Sequence, residues 1–220
     1  MEEATTKGEG AYGRVTRERI LDAAEQLFAE QGFEGTSIRA VTKEAGANLA
    51  AVGYHFGSKA ALFEAVAERV MGPVIAEQLG RLNDLEEGER EPEIEELVEA
   101  FVAPYFDRLP RKSEARGRTV SRLVGRILGD PTEEIRRVTV EGTEVRDRYL
   151  VAFSKALPNV TREELWWRVL SMIGVVVVHR IGLHEEGRPL GMPDDNDETV
   201  LEWTVAFLSA ALRAPSVNAP

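Results

Sequence analysis

The run Thr36 to Lys59, TSIRAVTKEAGANLAAVGYHFGSK, constrains this chain more than any other, because it fits two short helices, a tight turn and the start of a third helix into twenty-four residues. Thr36 and Ser37 offer hydroxyl caps just before the apolar Ile38 and Val41, and Ala40 and Ala45 keep the first helix thin enough for close packing. Gly46 is placed to take the positive φ that closes a helix C-terminus, and Asn48 to cap a second short helix, Leu49 to His55. Ser58 then caps a third, with Lys59 in its first turn. Helix, glycine turn, helix is the local plan of a helix-turn-helix.

The second short helix exposes small or apolar residues, Leu49, Ala50 and Gly53, and small side chains let a helix enter a groove of duplex DNA. Phe56 is expected to pack inward, whereas Tyr54 and His55 flank the helix, where hydroxyl and imidazole can bond phosphate oxygens. Lys59 adds a full charge to the free N–H groups of its helix start. The contact set expected for DNA is therefore Thr36, Ser37, Arg39 and Thr42, then Asn48, Leu49, Ala50, Gly53, Tyr54 and His55, then Lys59. The plainer reading is three packed helices with no partner, and the exposed Tyr54-His55 pair and the capped Lys59 speak against it. His55 is not read as a metal ligand, since the chain has no cysteine and only His179 and His184 besides. No metal or cofactor is expected.

At these residues the chain closely resembles the TetR family of bacterial transcription regulators. The likeness begins at Arg17 to Phe28, RERILDAAEQLF, passes through Gly32-Phe33 and Gly35-Thr36-Ser37-Ile38, and continues past Tyr54-His55-Phe56-Gly57-Ser58-Lys59 to Leu62. About fifty residues of ordered pattern are far more specific than a lone helix-turn-helix. Gly53 departs from the pattern, standing where the family often has an aromatic or polar residue. The resemblance implies an all-α protein: an N-terminal three-helix DNA-binding domain with the helix-turn-helix, and a larger C-terminal helical bundle for ligand binding and dimerisation.

Charge at first opposes a nucleic-acid partner, because the formal net charge is −11 and affinity for phosphates comes largely from Lys and Arg. Its distribution softens the objection. Residues 1–63 hold seven Lys and Arg against nine Asp and Glu, a net of −2, which leaves −9 for the remainder. Arg14, Arg17, Arg39, Lys43 and Lys59 can form one basic face, with Glu25, Glu30 and Glu34 turned away. The lack of cysteine suits a reducing cytoplasm. The polar start, MEEATTKGEGAYG, has no apolar run and reads as a flexible arm over residues 1–13, neither a secretion signal nor a membrane anchor.

Residues 14–60 are expected to form the helix-turn-helix domain and 61–214 the ligand-binding and dimerisation domain. Periodicity beyond Leu62 is helical almost everywhere, with no alternating strand run. A long helix from Ala60 to about Leu82 should bend at Gly72-Pro73. Further helices are expected at Glu93–Arg108, Glu114–Leu128, from Asp130-Pro131-Thr132-Glu133 to about Ala156, at Arg162–His184 and at Glu198–Arg213. The helix starting at Arg162 is apolar nearly all round, yet its nine-residue apolar stretch is too short to span a bilayer. A helix apolar on opposite faces must meet its own core and something else, so the last two helices are the expected homodimer surface.

A separate large domain suggests an effector. Phe101 and Tyr105 on the fifth helix, Leu123 on the sixth, and Trp167, Met172 and Val176 on the eighth can line an apolar pocket. Arg122 and Arg126 share a helix face and His179 interrupts an apolar run; facing a cavity they would suit a carboxylate or acyl thioester, and facing solvent they are ordinary ion-pairing groups. The segments SRLVGRILGDP and ELWWRVLSMIGVVVVHRIG look similar to a TetR subgroup that includes fatty-acid-responsive repressors. That likeness implies a fatty acid or acyl-CoA, ahead of an aromatic drug-like compound, as the small hydrophobic effector of a repressor on a palindromic operator. A helical enzyme is the alternative, but no acid–base, metal or phosphate-cradling spacing is present, and a protein-interaction module would show no affinity for DNA.

Overall fold

A computed structural model describes residues 3–110, 114–129, 143–181 and 198–216, and all regular structure among them is helical. The helices are α1 (Glu3–Gly35), α2 (Ile38–Glu44), α3 (Leu49–Phe56), α4 (Lys59–Glu86), α5 (Ile94–Asp107), α6 (Ala115–Gly129), α7 (Thr143–Ala156), α8 (Arg162–Ile181) and α9 (Glu198–Leu212). They divide into two compact units, residues 1–70 and 71–220.

In the first unit α1 begins at Glu3, so the segment expected as an arm up to Gly13 belongs largely to the helix. Ile20, Leu21, Ala24 and Phe28 recur at helical spacing and are buried on its inner face. At Gly32 the backbone leaves the helix, with φ 73° and ψ 178°. Phe28, Phe33 and Phe63 close the core: Phe63 meets Phe28 edge-on at 5.1 Å and Phe33 at 5.4 Å between ring centres. Leu62, Val66, Ala67 and Val70 of α4 are buried as well, and the Arg69 guanidinium reaches Asp22 at 2.8 Å and the buried Glu25 at 2.5 Å. These contacts carry the unit to Val70 rather than ending it at residue 60.

The helix α4 continues through Pro73 and ends at Glu86, beyond the expected Leu82. In the second unit α5 opens with a reciprocal capping box between Glu93 and Glu96 and is buried almost all round. Tyr149, Gln78 and Phe101 tie α7, α4 and α5 together. Tyr149 donates its hydroxyl to the Gln78 carbonyl at 2.9 Å, and the Gln78 amide donates to the Phe101 carbonyl at 2.7 Å. The Phe101 ring stands edge-on to Tyr149 at 4.9 Å. Burial pushes the Tyr105 hydroxyl up to about 12 and the Tyr149 hydroxyl up further still, so both are neutral. The remaining helices complete the bundle, α6 against α8, α9 against α5, and α7 against α5 and α8. Arg168, buried on α8, bonds Glu164 at 3.1 Å and also donates to the carbonyls of Leu212 and Pro215, which latches the end of α9 to α8.

The expected start at Asp130-Pro131-Thr132-Glu133 and the expected end at His184 lie outside the described residues. No helix among the described residues is long and apolar enough to cross a membrane.

Candidate functional site

The helix-turn-helix is built from hydrogen bonds that span three to five residues. Ser37, in extended backbone, caps α2 by accepting the Ala40 N–H at 3.1 Å. The helix closes at Gly46, φ 56°, where Ala47 N–H reaches the Thr42 carbonyl at 2.9 Å and Gly46 N–H the Lys43 carbonyl at 3.2 Å. That paired arrangement needs a left-handed residue, which is why glycine stands there. Asn48 Oδ1 caps α3 through the Ala51 N–H at 2.7 Å, and Ser58 Oγ caps α4 through the Ala61 N–H at 3.0 Å. One contact was not legible in the sequence: Arg19 on α1 donates to the Gly46 carbonyl at 3.4 Å, across 27 positions of chain. Nothing in the local pattern pairs an α1 arginine with that turn.

The structure sorts the expected DNA contacts into three groups. Leu49, Ala50, Gly53 and Tyr54 are exposed and share one face of α3, with Tyr54 86% accessible. Asn48, the cap residue Ser37 and, on α2, Arg39 are also exposed, as is Lys43 beside them in sequence, although the caps already engage the side-chain oxygens of Ser37 and Asn48. His55 is half-buried between Tyr54 and Phe56, near Gly13 of α1. Lys59 is half-buried as well, its ammonium 4.3 Å from the centre of the Phe33 ring.

Thr36 and Thr42 are corrections. Thr36 is 2% exposed and donates to the Gly32 carbonyl at 2.8 Å and the Leu27 carbonyl at 3.1 Å. Those carbonyls border the break in α1, and satisfying buried acceptors there turns the hydroxyl inward. Thr42 is likewise buried, its hydroxyl on the Arg39 carbonyl at 3.1 Å. Neither hydroxyl points outward.

Among the expected effector contacts, Phe101, Tyr105, Leu123, Met172 and Val176 are buried in the second unit. Arg122 and Arg126 are exposed and Trp167 is 66% accessible, so these three do not line that core. The reason is periodicity: Leu123, Val124 and Ile127 take the inner face of α6, and Leu165, Val169, Met172 and Val176 that of α8, leaving the others on opposite faces. The side chain of His179 lies outside the described residues. Trp167, Leu170 and Val178 on α8 and Trp203 and Phe207 on α9 instead form exposed apolar surface. Among the described residues no cluster of His, Cys, Asp and Glu is arranged to hold a metal ion.

Residues 20–66 match the family model of bacterial regulatory proteins of the tetR family, and residues 99–211 match the tetracyclin repressor-like C-terminal domain. The HTH-type transcriptional repressor NicS of Pseudomonas putida is 35% identical over 95 residues, 43% of this chain and 43% of that protein. The probable HTH-type transcriptional regulator YttP of Bacillus subtilis is 41% identical over 49 residues, 22% of this chain and 24% of that one. The chain thus spans less than half the length of these curated relatives. Over nearly the whole chain the fold is similar to a transcriptional regulator from Aquifex aeolicus (24% identity, TM-score 0.56, covering 90% of this chain and 98% of that one). It is also similar to the fatty acid degradation regulator FadR from Bacillus halodurans (18% identity, TM-score 0.59, covering 89% and 99%).

Proposed function

The chain belongs to the TetR family of bacterial regulatory proteins, and from that membership we propose that it is a dimeric DNA-binding repressor, released from a palindromic operator by a small hydrophobic effector. The observation that carries the proposal is the α3 face of Leu49, Ala50, Gly53 and Tyr54, held outward by caps at Ser37, Asn48 and Ser58 and by the Gly46 turn. Such a face needs a groove to fill, and Arg39 and Lys43 beside it supply cations for phosphates.

Dimerisation is assigned to α8 and α9. Each buries one face within its own bundle and exposes aromatic and aliphatic residues on the other, and a two-fold axis through those exposed faces would cover both. Gly174, with open space where a Cβ would stand, would permit close approach of the paired helices.

For the effector a long-chain fatty acid or acyl-CoA comes first, on the likeness of the segments 121–131 and 164–182 to fatty-acid-responsive members. An apolar tail suits a unit whose core includes Phe101, Leu123, Met172 and Val176, and Tyr149 and Gln78 are neutral polar groups buried beside Phe101. Release is then a population shift, in which effector favours a dimer whose α3 helices no longer fit successive major grooves. A hundredfold preference for the released form, about 2.7 kcal/mol, suffices to cut occupancy strongly.

Selection of bound fragments from random duplex DNA tests the reading. The expected result is a palindrome with half-sites about one helical turn or a multiple apart, lost on adding acyl-CoA. No enrichment at low salt with soluble dimer present would overturn it.

A further inference from the structure

We propose that α3 reads its operator through thymine methyl groups rather than through hydrogen bonds to base edges, and that Gly53 sets how closely the helix backbone approaches the bases. The inference rests on the DNA-binding reading above and names what that face recognises.

The sequence of α3, LAAVGYHF, holds no Arg, Lys, Asn, Gln, Asp or Glu, which are the side chains able to make two hydrogen bonds to one base. Asn48 lies at the cap, before the first turn of α3, and its Oδ1 already accepts the Ala51 N–H at 2.7 Å, which ties its amide to the start of the helix. Of the exposed face, Leu49 and Ala50 are apolar, Gly53 has no side chain, and the Tyr54 hydroxyl is its sole hydrogen-bonding side-chain group. In the major groove the apolar feature that separates one base pair from another is the C5-methyl of thymine. Leu49 and Ala50 are therefore suited to runs of A·T pairs, with the thymine strand presented to them.

Gly53 supplies the second observation. Glycine is the poorest helix former after proline, yet here it stands inside an eight-residue helix. Its φ is not positive, and a Cβ built on it would meet nothing within 4 Å, so neither backbone conformation nor packing inside this chain accounts for it. A glycine without an internal reason is explained by an external body approaching the backbone closely. Position 53 is one turn from Leu49, on the face that carries the apolar contacts, so an added methyl would lift Leu49 and Ala50 away from the groove floor.

The test uses the full-length protein and the operator obtained by selection. Each thymine in a half-site is replaced in turn by deoxyuridine, which removes the methyl and leaves base pairing and phosphate charge intact. At one or two positions per half-site affinity should fall about fourfold for each methyl, the equivalent of about 0.8 kcal/mol. That ratio should not change with salt, because no counterion is released by a methyl contact. In parallel Gly53→Ala should melt no lower than the wild type and bind the same operator at least tenfold more weakly. Deoxyuridine binding as tightly as thymine at every position would overturn the methyl readout, and undiminished operator binding by a well-folded Gly53→Ala would overturn the close approach. Enrichment of no sequence would instead remove the DNA-binding reading and this inference with it, an outcome distinct from an operator that tolerates both changes.

Discussion

Thr36 and Tyr54 stand within one short motif and divide its labour. The Thr36 hydroxyl is spent on two carbonyls where α1 breaks, whereas the Tyr54 hydroxyl is in solvent. Thr36→Val keeps the shape but leaves buried acceptors short of a donor, and should cost about 1–2 kcal/mol, read as a lower melting temperature with operator affinity unchanged for the folded fraction. Tyr54→Phe should do the reverse: the same melting temperature, and weaker binding to specific and non-specific DNA alike, as expected for a phosphate contact. Lys59 lies between these cases. Its ammonium rests on Phe33, so it is both a stacking partner and a half-exposed cation at the start of α4.

Between elements, charge does the fastening that apolar packing leaves undone. Arg69 on α4 joins Glu25 and Asp22 on α1, and Glu25 is 4% exposed. Arg69→Ala removes this cation from a buried carboxylate and should cost about 3 kcal/mol in a denaturant titration, more than the loss of a surface pair. The α4–α5 junction is a second fastening. Glu77 accepts from Arg108 and from Arg81 at 3.0 Å, and Arg81 also reaches Asp107 at 2.5 Å. The hydrogen bonds from Arg108, then Arg81, hold the Glu77 carboxyl below its ordinary 4.5. A carboxyl with a lowered folded pKa contributes stability that is present above the unfolded value and is lost as pH falls through the folded one. The melting-temperature gap between wild type and Glu77→Gln should therefore be full at pH 7 and narrow steadily below pH 4.5.

For the whole molecule the exposed apolar faces of α8 and α9 are the surface on which the proposed dimer rests. Trp203 and Phe207 are 56% and 62% exposed one turn apart on α9, while Val200, Thr204, Leu208 and Leu212 of the same helix are buried. A change confined to the outer face should spare the fold and remove the partner. Phe207→Glu is expected to sediment as a monomer with unchanged helical content, and to lose operator affinity by far more than any single phosphate contact, because one α3 can engage only one half-site. A dimer that survived this change would place the two-fold axis elsewhere.

What the sequence determined by itself was the set of features fixed over three or four residues: the caps at Ser37, Asn48 and Ser58, the left-handed Gly46, and the helical period that makes the described chain all-α. These depend on a side chain and a backbone group that are neighbours in any conformation, so local pattern suffices. Tertiary structure alone decided which way a given face turned. Periodicity places Trp167 on one side of α8 and Met172 on another, and places Arg122 apart from Leu123, but it does not say which side a neighbouring helix will cover. The same holds for Thr36, whose hydroxyl serves a cap or a carbonyl with equal chemistry, and for Arg19, whose acceptor on Gly46 exists only after α1 and the turn have packed. Burial is a property of the partner as much as of the residue, and the partner is distant in the chain.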